Sequence, residues 1–249
     1  MRGGLWPEGD RIQGNAWDKR MDDRHKGTEE ERRPKRRKLS STWWLQRQIS
    51  DPYVAETHRL GYRSRAAFKL LELNDKLHIL KPGQRVVDLG AAPGGWTQVA
   101  VALVKAGQSR GGQVVAIDIN PWSPVLGATC LTHDFMAADS SDRLRQALEG
   151  GWAEVVLSDM SPNTIGHRRT DHLRILVLVE AACTFALNVL VPGGAFVAKV
   201  FQGGTEQTLL AEMKRRFAAV RHVKPPASRK ESAEIYLVAQ GFHGDPPHA

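Results

Sequence analysis

The chain has 249 residues, 41% of them hydrophobic, which is enough for one good core, and its formal charge of +8 with a pI near 9.7 points to an anionic partner without specifying a fold. Its two cysteines, Cys130 and Cys183, lie in apolar surroundings, so neither a disulfide framework nor a zinc cluster is expected, and the cytoplasm is the expected compartment. No uninterrupted apolar run approaches the ~18 residues of a membrane span, and the polar N-terminus has no apolar core for a secretory signal; membrane insertion is not expected.

Residues 1–40 lack a hydrophobic period and end in the basic run Arg32-Arg33-Pro34-Lys35-Arg36-Arg37-Lys38, so they are expected to form a disordered basic extension able to add phosphate contacts. From Ser41 the pattern changes. Trp43, Trp44, Leu45 and Ile49 predict a short amphipathic helix, Asp51-Pro52 starts a second as N-cap and first residue, and Ser64 is expected to cap a third that carries Ala67, Phe68, Leu70, Leu71 and Leu73. Beyond Arg85 strand and helix patterns alternate, with strands expected near 85–89, 114–118, 129–132, 154–158, 194–201, 220–223 and 234–240. Helices are expected near 95–105, 140–149, 171–190 and 206–217, the third stopped by Pro192-Gly193-Gly194. The fold class is therefore α/β: one domain over 41–240, Rossmann-like, with a seven-stranded, mostly parallel sheet and helices on both faces, followed by a loose tail over 241–249.

The stretch Val86-Val87-Asp88-Leu89-Gly90-Ala91-Ala92-Pro93-Gly94-Gly95-Trp96 is an apolar strand, a glycine-rich turn and the start of a helix, a pattern that brings bare backbone close to a ligand. Its spacing matches neither the dinucleotide fingerprint nor the phosphate loop, and no lysine follows to reach a phosphate. A carboxylate on the first strand and a second, Asp118, at the end of the next suit a cofactor with an amino acid part and a ribose, such as S-adenosylmethionine. Ligands of open sheets bind beyond the carboxyl ends of the strands, so Asp88, Asp118, Asp134 and Asp159 are expected to ring one crevice.

The segments Trp44-Leu45-Gln46, Ser50-Asp51-x-Tyr53-Val54, Arg63-Ser64-Arg65-Ala66-x-Phe68-Lys69-Leu70, Ser158-Asp159-Met160-Ser161-Pro162-Asn163, Val197-Ala198-Lys199-Val200-Phe201-Gln202-Gly203 and Ser232-Ala233-Glu234-Ile235-Tyr236, with the glycine turn in its place among them, run in one order from about residue 41 to 240. In this the chain resembles the FtsJ-like (RlmE) ribosomal RNA 2′-O-methyltransferases. It departs from them at Ser161, where alanine is common, at Ala233, where arginine is common, and in its longer extension. The resemblance implies the Rossmann-like fold of S-adenosylmethionine-dependent methyltransferases and a catalytic set of Lys69, Asp159, Lys199 and Glu234. It also implies a cofactor site in which Asp134 accepts from the adenine amino group, Asp118 takes the ribose hydroxyls, and Gly94 and Trp96 line the methionine part, with Asp88, Gly90, Gly95 and Asp159 completing it.

The chemistry asks for such a set. Removing the proton of a ribose 2′-hydroxyl needs a base; with no metal-ligand cluster expected in the sequence, the base is a lysine. Burial beside another cation disfavours an ammonium, which suits Lys199 at the end of an apolar strand with Lys69 nearby. Asp159 would orient the lysine and the hydroxyl, and Glu234 would hold Lys69. His133 and His167 read as polar loop residues. The RNA surface is expected at Arg63, Arg65, Arg168, Arg169, Lys224, Arg229 and Lys230, which converge on the crevice in three runs. The resemblance implies 2′-O-methylation of a uridine in large-subunit (23S) ribosomal RNA, in the A-loop at a late stage of 50S assembly, by a monomer. The residues leave open a methyltransferase of transfer RNA or of an RNA cap, and an assembly factor that binds RNA without turnover.

Overall fold

The computed structural model describes residues 51–162, 168–202 and 207–244, without the side chains of Arg168, Arg169 and Asp171. The expected extension over 1–40, the amphipathic segment from Trp43 to Ile49, His167, and positions 245–249 of the expected tail lie outside the described residues.

Helix α1 (Pro52–Leu60) begins where the sequence predicts: the Asp51 carboxylate accepts from the Tyr53 N–H at 3.1 Å, Pro52 takes the first turn, where its missing N–H is no loss, and Gly61 closes the helix at φ +73°. Helix α2 (Ala66–Leu77) starts with Arg65, not Ser64, at its cap. The Ser64 carbonyl accepts from the Ala67 N–H at 3.2 Å, while its buried hydroxyl has no hydrogen-bond partner among the described residues. That hydroxyl instead lies against Gly95, where a Cβ would collide with it, so a glycine is what allows α2 to approach the next helix.

There follow β1 (Arg85–Leu89), α3 (Gly95–Val104), β2 (Gln113–Asp118), β3 (Thr129–Thr132), α4 (Ser140–Ala147), a 3-10 turn at Glu149–Gly151, β4 (Ala153–Ser158), α5 (Arg168–Val189), β5 (Leu190–Phe201), α6 (Gln207–Arg216), β6 (Phe217–Val223) and β7 (Glu234–Phe242). The seven strands form one sheet in the order β3-β2-β1-β4-β5-β7-β6, in which β7 runs antiparallel to both neighbours and the other pairs are parallel. The order reverses between β1 and β4, and the turn after β1 and the end of β4 meet there: the Asp159 N–H donates to the Leu89 carbonyl at 3.1 Å.

The two-residue period of the strands splits the core in two. Val86, Val114, Val155, Leu157 and Val197 pack with Ala67, Leu70 and Leu73 of α2 and with Trp96 and Val99 of α3. Val87, Val115, Val156, Phe196 and Ala198 face the other way, against Leu144 of α4, Ile175 and Val179 of α5, and Leu209 and Met213 of α6. Each buried Val, Leu, Ile, Phe or Met among them stabilises the fold by ~1.5–3 kcal/mol relative to exposure, so both faces of the sheet contribute to the core.

Two expectations need correction. Strand β5 starts at Leu190, because the chain passes from α5 into the sheet without a loop; the pairing jumps from Ala153↔Leu190 to Val155↔Ala195, and Pro192-Gly193 sits in the resulting bulge, not at a stop. Gly241 and Phe242 belong to β7 and not to a loose tail, with Phe242 buried against Phe217 at 5.2 Å. Helix α5 is, over His172–Val189, long and apolar enough by composition to cross a membrane, with a mean hydropathy of 1.5, although its polar interruptions break every continuous run. Its Ile175, Val179, Ala182, Ala186 and Val189 are packed in the core, which accounts for that composition.

Candidate active site

At the carboxyl ends of β1, β2 and β4 lies a cavity of about 760 Å³ whose wall includes Gly90, Asp118, Asp134, Asp159 and Lys199. Gly90 is required by geometry: it has φ +78°, and a Cβ there would stand 2.7 Å from Cγ and 2.8 Å from Cα of Met160, so a side chain would drive the β1 turn off the end of β4. Asp118 ends β2 and fastens two loops. Its Oδ2 accepts from the Ala92 N–H at 2.9 Å and its Oδ1 from the Asn120 N–H at 2.8 Å. Asp134, exposed in the loop after β3, accepts from the Met136 N–H at 2.9 Å. Ile119, Met136 and Val177 complete the wall with exposed apolar groups.

One ion pair lies on the wall of this cavity, and a second is linked to it through Tyr236. Lys199, 7% exposed on β5, donates from Nζ to the Asp159 carbonyl at 2.6 Å and pairs with Asp159 Oδ1 at 3.2 Å. Lys69 on α2 pairs with both carboxylate oxygens of Glu234, at 2.7 and 2.9 Å. The four residues expected to act together are thus assembled by β4, β5, β7 and α2. Each lysine has a carboxylate of its own, Asp159 for Lys199 and Glu234 for Lys69.

Tyr236 joins the two pairs, a role the sequence reading did not assign. Its hydroxyl donates to Asp159 Oδ1 at 2.9 Å, Lys69 Nζ lies 5.9 Å from its ring centroid, and the ring lies 5.4 Å from that of Trp96. Burial first, then the charges of Asp159 and Glu234, push its phenol well above the usual value, so it remains a donor to Asp159. The signal was present in the strand period: Glu234 and Tyr236 are two apart on β7, and Tyr236 is paired with Lys199 across the sheet.

Other expected residues lie elsewhere. Asp88 does not join the ring of carboxylates: it is fully buried, its Oδ2 accepts from the Thr97 hydroxyl at 2.7 Å, and its Oδ1 is without a partner among the described residues. Burial, opposed by the Thr97 hydrogen bond and aided by the charges of Asp159 and Asp118, pushes its carboxyl up to about 7. The side chain of Trp96 faces the core, its indole N–H donating to the Ala66 carbonyl at 2.8 Å, and Gly94 and Gly95 are buried beside it and not on the cavity wall. Arg63, Val125 and Trp122 stand 3.0–3.1 Å from where a Gly94 Cβ would be.

The basic residues expected to meet RNA divide. Arg65 and Arg229 share one carboxylate, that of Asp51, at 2.9 and 3.7 Å, so part of their charge is answered within the fold. Arg63 donates to the carbonyls of Pro93, Ser123 and Pro124, and Lys224 to those of Lys230 and Ser232; both are pinned by backbone oxygens yet remain exposed. Lys230 is exposed, and the side chains of Arg168 and Arg169 lie outside the described residues. Among the described residues no group of three His, Cys, Asp or Glu is gathered as a metal would need.

A sequence model of the family described as FtsJ-like methyltransferase matches residues 62–242. The chain is 66% identical over 211 residues to the Ribosomal RNA large subunit methyltransferase E of Paramagnetospirillum magneticum, covering 84% of this chain and 86% of that one. It is 59% identical over 213 residues to the protein of the same name from Rhodospirillum rubrum, covering 86% and 81%. A solved structure of a ribosomal RNA methyltransferase from Plasmodium falciparum superposes with a TM-score of 0.65 at 28% identity, over 74% of this chain and all of that one.

Proposed function

The chain belongs to the FtsJ-like methyltransferase family, and from that premise we propose that it transfers a methyl group from S-adenosylmethionine to a ribose 2′-hydroxyl of large-subunit ribosomal RNA. The target in this reading is a uridine of the 23S A-loop, modified late in 50S assembly by a monomer. The observation that carries it is the paired arrangement at the cavity: Lys199 on Asp159 and Lys69 on Glu234, joined by Tyr236.

The residues present fit the cofactor. Asp118 and Asp134 offer carboxylate acceptors for ribose hydroxyls and an adenine amino group, Ile119 and Met136 offer apolar surface between them, and the cavity of about 760 Å³ is of suitable size. When bound, S-adenosylmethionine supplies an electrophilic methyl group on a sulfonium and leaves as the neutral thioether. Lys199 Nζ, when uncharged, would accept the proton that the 2′-hydroxyl gives up on methylation. Asp159 holds that nitrogen through both its carbonyl and its carboxylate, and Tyr236 fixes the carboxylate in turn. Fixed groups at hydrogen-bond range contribute through orientation as much as through acidity. Arg63, Lys224 and Lys230 supply positive charge for RNA phosphates, together with Arg168, Arg169 and the basic run within residues 1–40, and the domain runs from 41 to Phe242, the end of β7.

The test is transfer of labelled methyl groups to large subunits from cells lacking this modification, with the labelled nucleotide located by mass spectrometry. We expect a single 2′-O-methyluridine in large-subunit RNA. Label on a base, or on transfer RNA in preference to subunits, would overturn the substrate; binding without transfer would leave the assembly-factor reading.

A further inference from the structure

Both backbone polar groups of one residue, Ala227, are taken by side chains of one helix. Arg65 at the cap of α2 donates from Nη2 to the Ala227 carbonyl at 2.5 Å, and the Ala227 N–H donates to Glu72 Oε2 at 2.6 Å. Between them on α2, Lys69 reaches Glu234. Spacings of four and three put Arg65, Lys69 and Glu72 on a single helical face, so that face grips the loop before β7 twice, at Ala227, and the first residue of β7 once, at Glu234.

The grip passes directly to the active-site carboxylate. Ala227 is fully buried and Ser228 is 4% exposed; the turn between them is closed by the Ser228 N–H on the Pro225 carbonyl at 2.8 Å. The Ser228 hydroxyl then donates to Glu234 Oε1 at 2.9 Å, the same oxygen that Lys69 approaches at 2.7 Å. Glu72 is itself held, accepting from the Tyr53 hydroxyl at 2.8 Å, a phenol that burial and the neighbouring Glu72 keep protonated by raising its pKa. Lys69 is a long side chain with many rotamers, and a carboxylate free to swing would let its ammonium wander. A hydroxyl from a buried, doubly anchored turn removes that freedom.

We infer that the Pro225–Ser228 turn is a positioning device for the Glu234–Lys69 pair, with Ser228 and Glu72 as positioning residues for methyl transfer; this rests on the reading of Lys69 and Glu234 as active-site groups. Neither residue touches the cavity, so their loss acts on the rate and not on binding.

The experiment measures steady-state methyl transfer on large subunits for Ser228→Ala, Ser228→Thr and Glu72→Ala, together with cofactor affinity by calorimetry. Ser228→Ala should lower kcat about tenfold, of the order that small misplacements cost, with KM and cofactor Kd within about twofold, and Ser228→Thr, which keeps the hydroxyl, should recover most of it. Glu72→Ala should show the same split between kcat and KM. The Ser228→Ala loss should also vanish in a Glu234→Gln background, since no paired carboxylate is left to position. An equal loss in that background marks a merely structural role and overturns the inference, and this comparison remains decisive if threonine is too large for the site. Wild-type kcat for Ser228→Ala, with Lys69→Ala and Lys199→Ala impaired, overturns the inference alone. Full activity of all three overturns the active-site reading beneath it.

Discussion

The sheet opens on a cavity at each end, about 760 Å³ at the carboxyl ends of its strands and about 710 Å³ at the amino ends, yet the two are chemically opposite. At the amino end the wall is largely glycine backbone, at Gly83, Gly107, Gly111, Gly112 and Gly127, with Arg85 and Glu154 turned on each other. Glu154 accepts from Arg85 three times, from Nη2 and the backbone N–H at 2.6 Å each and from Nε at 3.2 Å, and Arg85 Nη1 donates to the Glu149 carbonyl at 2.9 Å. At the carboxyl end three carboxylates and a lysine converge on the space instead. Volume does not mark a site; charged groups turned into a space do, and in a parallel sheet they gather where strand ends feed loops.

The largest expected contrast between the ends is Lys199→Ala. Loss of a general base, the role proposed for Lys199, costs ~100-fold to 10,000-fold in rate, while the cofactor contacts proposed for Asp118 and Asp134 are untouched, so methyl transfer should collapse with cofactor affinity nearly unchanged. Radiolabel transfer and calorimetry on the same preparation check both halves. Turnover near that of the parent protein would remove the lysine from the chemistry and leave the carboxyl-end cavity no better qualified than the other.

A second contrast lies within the carboxyl end, between the carboxylates on the cavity wall and Asp88 behind it. With its carboxyl at about 7, folded Asp88 keeps a proton from about pH 4 to pH 7 that the unfolded chain has already released. Stability should therefore fall as the pH rises through that span, by up to ~4 kcal/mol, and level off above it. Asp88→Asn keeps an acceptor for the Thr97 hydroxyl and cannot ionise. The gap between variant and parent in urea unfolding should move in favour of the variant from pH 4 to pH 7; a constant gap would mean that Asp88 does not titrate there.

What the sequence made legible was whatever depends on position along a strand. Asp118, Asp134 and Asp159 reach the cavity because each sits at or just past a strand end, and Lys199 reaches it because an apolar strand carries it there. What the sequence concealed were pairings across long separations. Nothing near Arg65 in the chain shows that Asp51 and the carbonyl of Ala227 will claim it, and Arg63 gives no sign of the carbonyls of Ser123 and Pro124. A cation reads the same whether it will meet a phosphate or a carbonyl. Trp96 misled for a related reason: its place in a ligand-binding turn says where its backbone is, while the face of α3 decides that its ring packs on Tyr236.

The smallest expected effect belongs to the amino end and sharpens the contrast from the other side. Arg85→Gln removes a pair whose side chains are 27% and 25% exposed, and partial solvation limits its worth to ~1–2 kcal/mol, or a melting shift of about 2–6 °C. Burial raises the Glu154 carboxyl, but the hydrogen bonds and charge of Arg85 outweigh it and hold it below its usual value. A carboxyl lowered by folding adds stability above its unfolded pKa and loses it as the pH falls through the folded one. The variant should therefore be less stable than the parent at neutral pH, and the difference should shrink in acid, when Glu154 is protonated in both. Methyl transfer at 25 °C should be unchanged, since Arg85 lies at the opposite end of β1 from Gly90. Melting curves at pH 7 and pH 3 and a transfer assay suffice; a fall in kcat without a fall in stability would show that the amino-end cavity communicates with the site.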